Sequence, residues 1–280
     1  MTWTLALTAL YMVAEAVGGW LSGSLALMAD AAHMLSDVAA LGLSLFAIWI
    51  ARRPPTPEHS YGYYRAEILA ALANGATLVA ISILVFVEAI KRIGSPPEVE
   101  GPLMMAIAGG GLLVNLAGLA ILHSGRGESL NVHGAWLHLL TDALGSVAAL
   151  VAGGLIWQYG WNWVDPLASI AIGILVIYSA WRLLKEAISI LMERTPGQID
   201  VDRVRSTLAA TPGVCGVHDL HIWTITSGMI SLSAHVVLAT GHSADAALES
   251  MRHALHEQFG IDHMTVQVES PGEDHCPAAF

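Results

Sequence analysis

Six long blocks of apolar residues, each separated from the next by a short polar or turn-forming stretch, dominate the chain as far as residue 192. They run over about 3 to 22, 25 to 50, 67 to 92, 102 to 123, 132 to 158 and 165 to 192. An α-helix needs ~20 residues to cross a ~30 Å hydrocarbon core at ~1.5 Å per residue, and every block reaches that length. Helices are the spanning element expected, because they pair their own backbone groups where lipid offers no partners. The breaks carry turn chemistry: Pro54, Pro55 and Pro57; Pro96 and Pro97 between Gly94 and Gly101; Gly125 to Glu128; and Gly160 to Trp163. Asp165 followed by Pro166 predicts a helix start, an N-cap acceptor and then a residue whose missing N–H costs nothing in the first turn. The first block starts almost at Met1 and leads straight into the second, so an ordinary membrane helix is expected rather than a cleaved signal peptide.

The pattern changes after Thr195, Pro196 and Gly197. Asp200 to Ala210 reads as an amphipathic helix, and Val217 to Thr226 alternates as a strand. Ser227 and Gly228 turn the chain into a returning strand, Met229 to Leu238. A second helix over Ala244 to Phe259 and a third strand over His263 to Glu269 complete an α-β-β-α-β order, a small sheet with its helices on one side. The predicted organisation is a six-helix transmembrane domain over 1–195, a cytoplasmic α+β domain over 196–272 and a tail over 273–280. So small a soluble domain buries a modest core and gains from a partner subunit.

Composition agrees with lipid as the main solvent. Of 280 residues, 55% are hydrophobic and 12% charged, against roughly 25% charged in a soluble domain. The mean hydropathy is +0.59. Arg52, Arg53, Arg65, Arg126, Lys185 and Arg194 flank the spans on one side, against Lys91 and Arg92 on the other. The richer side is cytoplasmic by the positive-inside rule, which puts both termini there and Trp161 and Trp163 in an aromatic belt at the opposite interface. The net charge of -11 argues against nucleic-acid binding, which wants a basic face. Cys215 and Cys276 are expected as free thiols, since disulfides are rare in the cytoplasm. With no phosphate-binding glycine loop in the sequence, an ion gradient is the expected energy source. The glycine run Gly109 to Gly111 reads as close helix packing.

Ionisable side chains inside membrane spans are costly and by default functional. The second span holds His33 and Asp37, and the fifth holds His138 and Asp142, each pair at i and i+4 and so on one helix face. The second span runs inward and the fifth outward, so His33 lies level with Asp142, and Asp37 with His138. Two imidazoles and two carboxylates then converge as a tetrahedral N/O set, the arrangement zinc prefers. Among other polar residues in the spans, Asp30 is expected to line an outer vestibule and Asn115 to join helices. Glu15 either relays protons or hydrogen-bonds a neighbouring helix. An intramembrane zinc protease would need a His-Glu-x-x-His helix, which the sequence lacks, so no enzymatic activity is expected.

These residues resemble the cation diffusion facilitator family of metal/proton antiporters, in its zinc-transporting branch. The resemblance is carried by Ser24 to Asp37, by His59-Ser60-Tyr61-Gly62 with Arg65-Ala66-Glu67, and by the second His-Asp pair with Gly145 and Ser146. Asp165-Pro166 and His218-Asp219-Leu220-His221-Ile222-Trp223 extend it through the chain. It implies a homodimer in membrane lipid, six helices per subunit, a metallochaperone-like cytoplasmic domain, and alternating access that exports Zn2+, with Cd2+ or Co2+ as further cargo, in exchange for protons. It assigns His33, Asp37, His138 and Asp142 to the transport site. It also places His218, His235, His263 and Glu269 at metal-binding positions of the cytoplasmic domain, where Zn2+ would be a structural or regulatory ion.

Period-two alternation puts His263, Thr265, Gln267 and Glu269 on one face of the last strand, and His235 on a polar face with Ser231 and Ser233. His221 falls on the opposite face from His218 and needs a second metal or a hydrogen-bonding role. His275 and Cys276 could add soft ligands. In the loop after the second span, some relatives bind metal with Asp, His and His; here Thr56, His59 and Tyr63 stand there, leaving His59 to pack the loop or receive metal weakly.

Overall fold

The computed structural model describes the backbone of residues 2–51, 53–123 and 130–271. Side chains at 2–8, 40, 41, 44, 47, 48, 51, 130–135, 137 and 138 lie outside the described residues. The chain divides into two compact units, one of Met1–Ile48 with Ala70–Lys185, the other of Trp49–Leu69 with Glu186–Phe280.

The first unit is built from long helices: α1 (Thr2–Ser22), α2 (Leu25–Ala51), α3 (Ala66–Gly94), α4 (Gly101–Leu122), α5 (Leu130–Tyr159) and α6 (Val164–Leu191). Their ends fall within two residues of the blocks read from hydropathy. Among the described residues, four stretches are long and apolar enough to cross a membrane: Ala66–Gly94, Gly101–Leu122, Leu139–Tyr159 and Val164–Leu191. The core they enclose is made largely of alanine, with Ala26, Ala29, Ala108, Ala149, Ala152 and Ala180 all buried. Small side chains let helix backbones approach closely, the main source of packing energy where lipid tails are as apolar as the protein. One close approach joins α4 and α5: a Cβ on Gly153 would stand 2.8 Å from Met105 Cγ and 3.2 Å from the Gly101 carbonyl oxygen. In the glycine run, Gly111 makes room for the ring of Tyr11, whose hydroxyl donates to the Ile107 carbonyl.

Asp165 does something other than start its own helix. It lies inside α6, fully buried, and its carboxylate caps α2. Ser24 Oγ donates to Asp165 Oδ1 at 2.6 Å, Leu25 N to Oδ2 at 2.8 Å and Ala26 N to Oδ1 at 3.2 Å. Ser24 Oγ then accepts from Leu27 N at 3.2 Å. The N–H groups that a helix start leaves without intrahelical partners are thus filled by one buried carboxylate and one hydroxyl.

In the second unit, α7 (Val201–Ala209) is capped by Asp200, whose carboxylate accepts from the N–H groups of Asp202 and Arg203. α8 (Ala244–Phe259) starts at Ser243 and ends at Gly260, which has a φ of 65°. Between and after them come β1 (Val214–Thr226), β2 (Met229–Leu238) and β3 (His263–Glu269) in the order β1-β2-β3. β1 and β2 are antiparallel, β2 and β3 parallel. β1 begins three residues earlier than its alternation suggests, because a register shift between Val214 and Gly216 interrupts the pattern there. Leu232, Ala234 and Val236 of β2 pack with Val204, Leu208, Met251 and Leu255 of the helices, leaving the face of Ser231, Ser233 and His235 uncovered by them.

The loop before α3 and the first turn of that helix, as far as Leu69, belong to this unit. Arg65 Nη2 donates to Glu193 Oε1 at 2.9 Å, and Glu67 accepts from the hydroxyls of Thr226 and Ser227 at the β1–β2 turn. His59 stacks on Tyr63 with ring centroids 4.7 Å apart, and its N–H donates to Thr56. The expectation of free thiols is corrected at Cys215, which is disulfide-bonded. Cys276 and His275 lie outside the described residues.

Candidate metal centre

α2 brings His33 and Asp37 to one face, one turn apart, and α5 brings Asp142 against them. His33 Nε2 lies 3.2 Å from Asp142 Oδ1 and 3.9 Å from Asp37 Oδ2. All three ligand atoms fall within 4.8 Å of one another, close enough to converge on a single ion. One imidazole nitrogen and two carboxylate oxygens make a mixed N/O set suited to a divalent transition metal. The side chain of His138, one turn before Asp142 in sequence, lies outside the described residues.

Behind this group, Ser36 is held by Asn74 of α3, whose Nδ2 donates to Ser36 Oγ at 2.8 Å and reaches the Ser36 carbonyl at 3.5 Å. Both residues are buried, and Ser36 immediately precedes Asp37. Sequence reasoning missed Asn74; its signal was an amide inside an otherwise apolar span. Asn74→Ala should lower stability by about 1–2 kcal/mol, the usual cost of a lost buried hydrogen bond with one partner left behind. Thermal unfolding of the purified variant checks this.

Asp30 is buried, with Oδ1 3.5 Å from where a Cβ on Gly145 would stand, so it packs against α5. Glu15 is 1% exposed, and its Oε2 finds no hydrogen-bond partner among the described residues. Asn115 is half-buried in α4.

A second group of donors lies on the sheet face opposite the helices. His218 pairs with His235 across β1 and β2, and Glu269 sits beyond Val237 on β3. His218 Nε2 is 3.0 Å from Glu269 Oε2, and His235 Nδ1 is 2.9 Å from Glu269 Oε1. These three again place their ligand atoms within 4.8 Å. The hydrogen bond from His218, with the nearby His235, holds the Glu269 carboxyl below the usual carboxylate range, so the ionised form that a cation needs is favoured.

His263 shares this face but pairs with Ser231, four residues from His235 along β2 and hence ~13 Å away. Its ring meets Tyr61 edge-on, with centroids 5.5 Å apart. The placement of His221 on the opposite face is corrected. A register shift between His218 and His221 pairs them with His235 and Ser233, which share a face of β2, so His221 joins His218. The bulge contains Asp219, whose φ of 49° is left-handed. Unbroken alternation could not anticipate it. His221 Nε2 lies 2.9 Å from Asp219 Oδ1, a hydrogen bond that holds the Asp219 carboxyl low.

Similarity to known proteins runs along almost the entire chain. The cation efflux transmembrane domain matches residues 1–192, and the cytoplasmic domain of cation efflux proteins matches residues 196–271. A cadmium, cobalt and zinc/H(+)-K(+) antiporter of Bacillus subtilis is 45% identical over 95% of this chain and 86% of its own length. The zinc transporter ZitB of Escherichia coli is 44% identical over 94% of this chain and 84% of its own. The solved metal-bound C-terminal domain of the CzcD transporter from Cuprividus metallidurans is 42% identical, covering 25% of this chain and 99% of that one, with a TM-score of 0.25. Matched in both its membrane and its cytoplasmic domain, the chain belongs to the cation efflux family, the cation diffusion facilitators.

Proposed function

We propose that this protein exports Zn2+ from the cytoplasm in exchange for protons by alternating access, as a homodimer crossing the bacterial inner membrane six times with both termini inside. The carrying observation is the convergence of His33, Asp37 and Asp142 from two membrane helices, with His33 Nε2 3.2 Å from Asp142 Oδ1. In this reading His138 is the fourth ligand, and the division into a membrane domain over 1–195, a cytoplasmic domain over 196–272 and a tail over 273–280 is retained. Cd2+ and Co2+ are further cargo, since geometry separates these metals weakly. The chain is a carrier rather than an enzyme.

The exchange follows from the chemistry of the donors. A metal ion requires neutral imidazole and ionised carboxylate, so loading the site expels protons and protonating it expels the metal. Facing the side with more protons, the site releases metal; facing the cytoplasm, it deprotonates and reloads. The cytoplasmic group His218, His235 and Glu269 offers two imidazoles and a carboxylate with open solvent on one side, a donor set that fits Zn2+ as a structural or regulatory ion. Proteoliposomes with an imposed pH gradient should show zinc movement against proton movement, with both vanishing when the gradient is collapsed. Zinc flux indifferent to the proton gradient would overturn the exchange mechanism.

A further inference from the structure

We infer that Asp219 is the positioning residue of the cytoplasmic metal group: from its bulge its carboxylate stands beside His235 Nε2, close enough to hold that N–H and leave Nδ1 of the ring as the metal-binding nitrogen. The inference rests on the reading of His218, His235 and Glu269 as ligands. The two nitrogens of His235 face two different carboxylates. Nδ1 is 2.9 Å from Glu269 Oε1, while Nε2 is 3.7 Å from Asp219 Oδ2. A small rotation of the exposed Asp219 side chain closes that gap to a hydrogen bond. A ligating histidine ordinarily gives its second N–H to a carboxylate or carbonyl, which fixes the tautomer and raises the basicity of the bound nitrogen.

The backbone explains why an aspartate can stand there. Regular alternation would point residue 219 to the helix-covered face of the sheet. The bulge between His218 and His221 adds a residue to β1, and Asp219 takes the left-handed φ of 49° that Asp and Asn tolerate better than other side chains. The carboxylate then spans two imidazoles, with Oδ1 on His221 Nε2 at 2.9 Å and Oδ2 towards His235. His221 thereby orients Asp219 and belongs to the same device without contributing a donor to the metal group. Asp219, His221 and His235 are at least partly solvent-exposed, so the arrangement is built by the backbone and by pairing rather than by burial.

The test uses the full-length protein in detergent, carrying Asp37→Ala so that the membrane site does not contribute, with zinc titrated against a competing chelator. Glu269→Ala should lose one zinc per protomer; retention of that zinc would overturn the ligand assignment itself. Asp219→Gly keeps a residue at home in left-handed backbone while deleting the carboxylate. It should retain the zinc stoichiometry and bind about 10–100-fold more weakly, the usual effect of removing such an outer partner. Asp219→Asn keeps both the backbone and an acceptor oxygen, and should fall between Asp219→Gly and the parent. Nitrogen NMR of the zinc-loaded parent should show His235 bound through Nδ1 and protonated at Nε2. Parental affinity in Asp219→Gly, or zinc bound at Nε2, would overturn the role of Asp219 while leaving the ligand assignment standing.

Discussion

Asp142→Ala should reduce zinc-driven proton flux in proteoliposomes to the level of empty vesicles, a loss well beyond 100-fold, while leaving the protein folded. Partners one shell out from a metal are typically worth about 10–100-fold, and Asp142 is proposed to touch the ion itself. Its Oδ1 is 3.2 Å from His33 Nε2, so the substitution also removes the group that links α5 to α2 at this point. The Asp142 carbonyl still accepts from Ser146 Oγ at 3.1 Å in the variant's helix, and alanine is the best helix former. Asp142→Asn keeps the shape without the charge and should be nearly as inactive, because a neutral amide neither balances a divalent cation nor exchanges a proton for it. Normal flux in either variant, with unchanged size-exclusion behaviour, would place the transported ion elsewhere.

The second large effect should come from a residue that touches no metal. In Asp165→Ala, the Ser24 hydroxyl and the N–H groups of Leu25 and Ala26 lose their acceptor in a buried site. Leaving a buried donor unsatisfied costs ~1–3 kcal/mol, so two or three of them amount to about 3–5 kcal/mol after partial relaxation. Few single substitutions reach that size. Because the helix that frays is the one carrying His33 and Asp37, flux should fall with stability. Asp165→Asn retains one acceptor oxygen and should recover part of both. Thermal unfolding of the purified variants in detergent gives the first readout and proteoliposome flux the second. An unfolding midpoint in Asp165→Ala equal to the parent's would show that water or Ser24 alone satisfies the start of α2.

The same residue marks how far the sequence could be read. That Asp165 caps a helix was legible from its chemistry; which helix it caps was not, because a capping rule is local and Ser24 lies 141 residues away. Long elements were legible to within a turn because hydropathy blocks and strand alternation are averages over many positions. The pairing of His33 with Asp142 was legible because i and i+4 fixes one helix face and chain direction fixes which ends meet. His221 failed for the opposite reason: alternation holds only while the strand is regular, and one added residue in the bulge reversed the face. The separation of His263 from His235 was hidden as well. Both lie on one polar face, but the register between β2 and β3 sets their distance, and residue spacing within a single strand carries no information about register. Asn74 was passed over because an isolated amide in an apolar span says nothing about what it meets.

The contact of Gly101 and Gly153 bears on how the membrane unit can change shape. Where a missing Cβ lets two backbones come this close, the interface has no play: sliding α5 along α4 would drive Met105 and Trp157 into the backbone opposite. α4 and α5 therefore behave as a single strut. Asp142 rides on that strut, and His33 and Asp37 ride on α2, whose first turn is pinned to α6 by Asp165. In the alternating access proposed above, a movement of α2 against that strut would change the gap between His33 Nε2 and Asp142 Oδ1, 3.2 Å here.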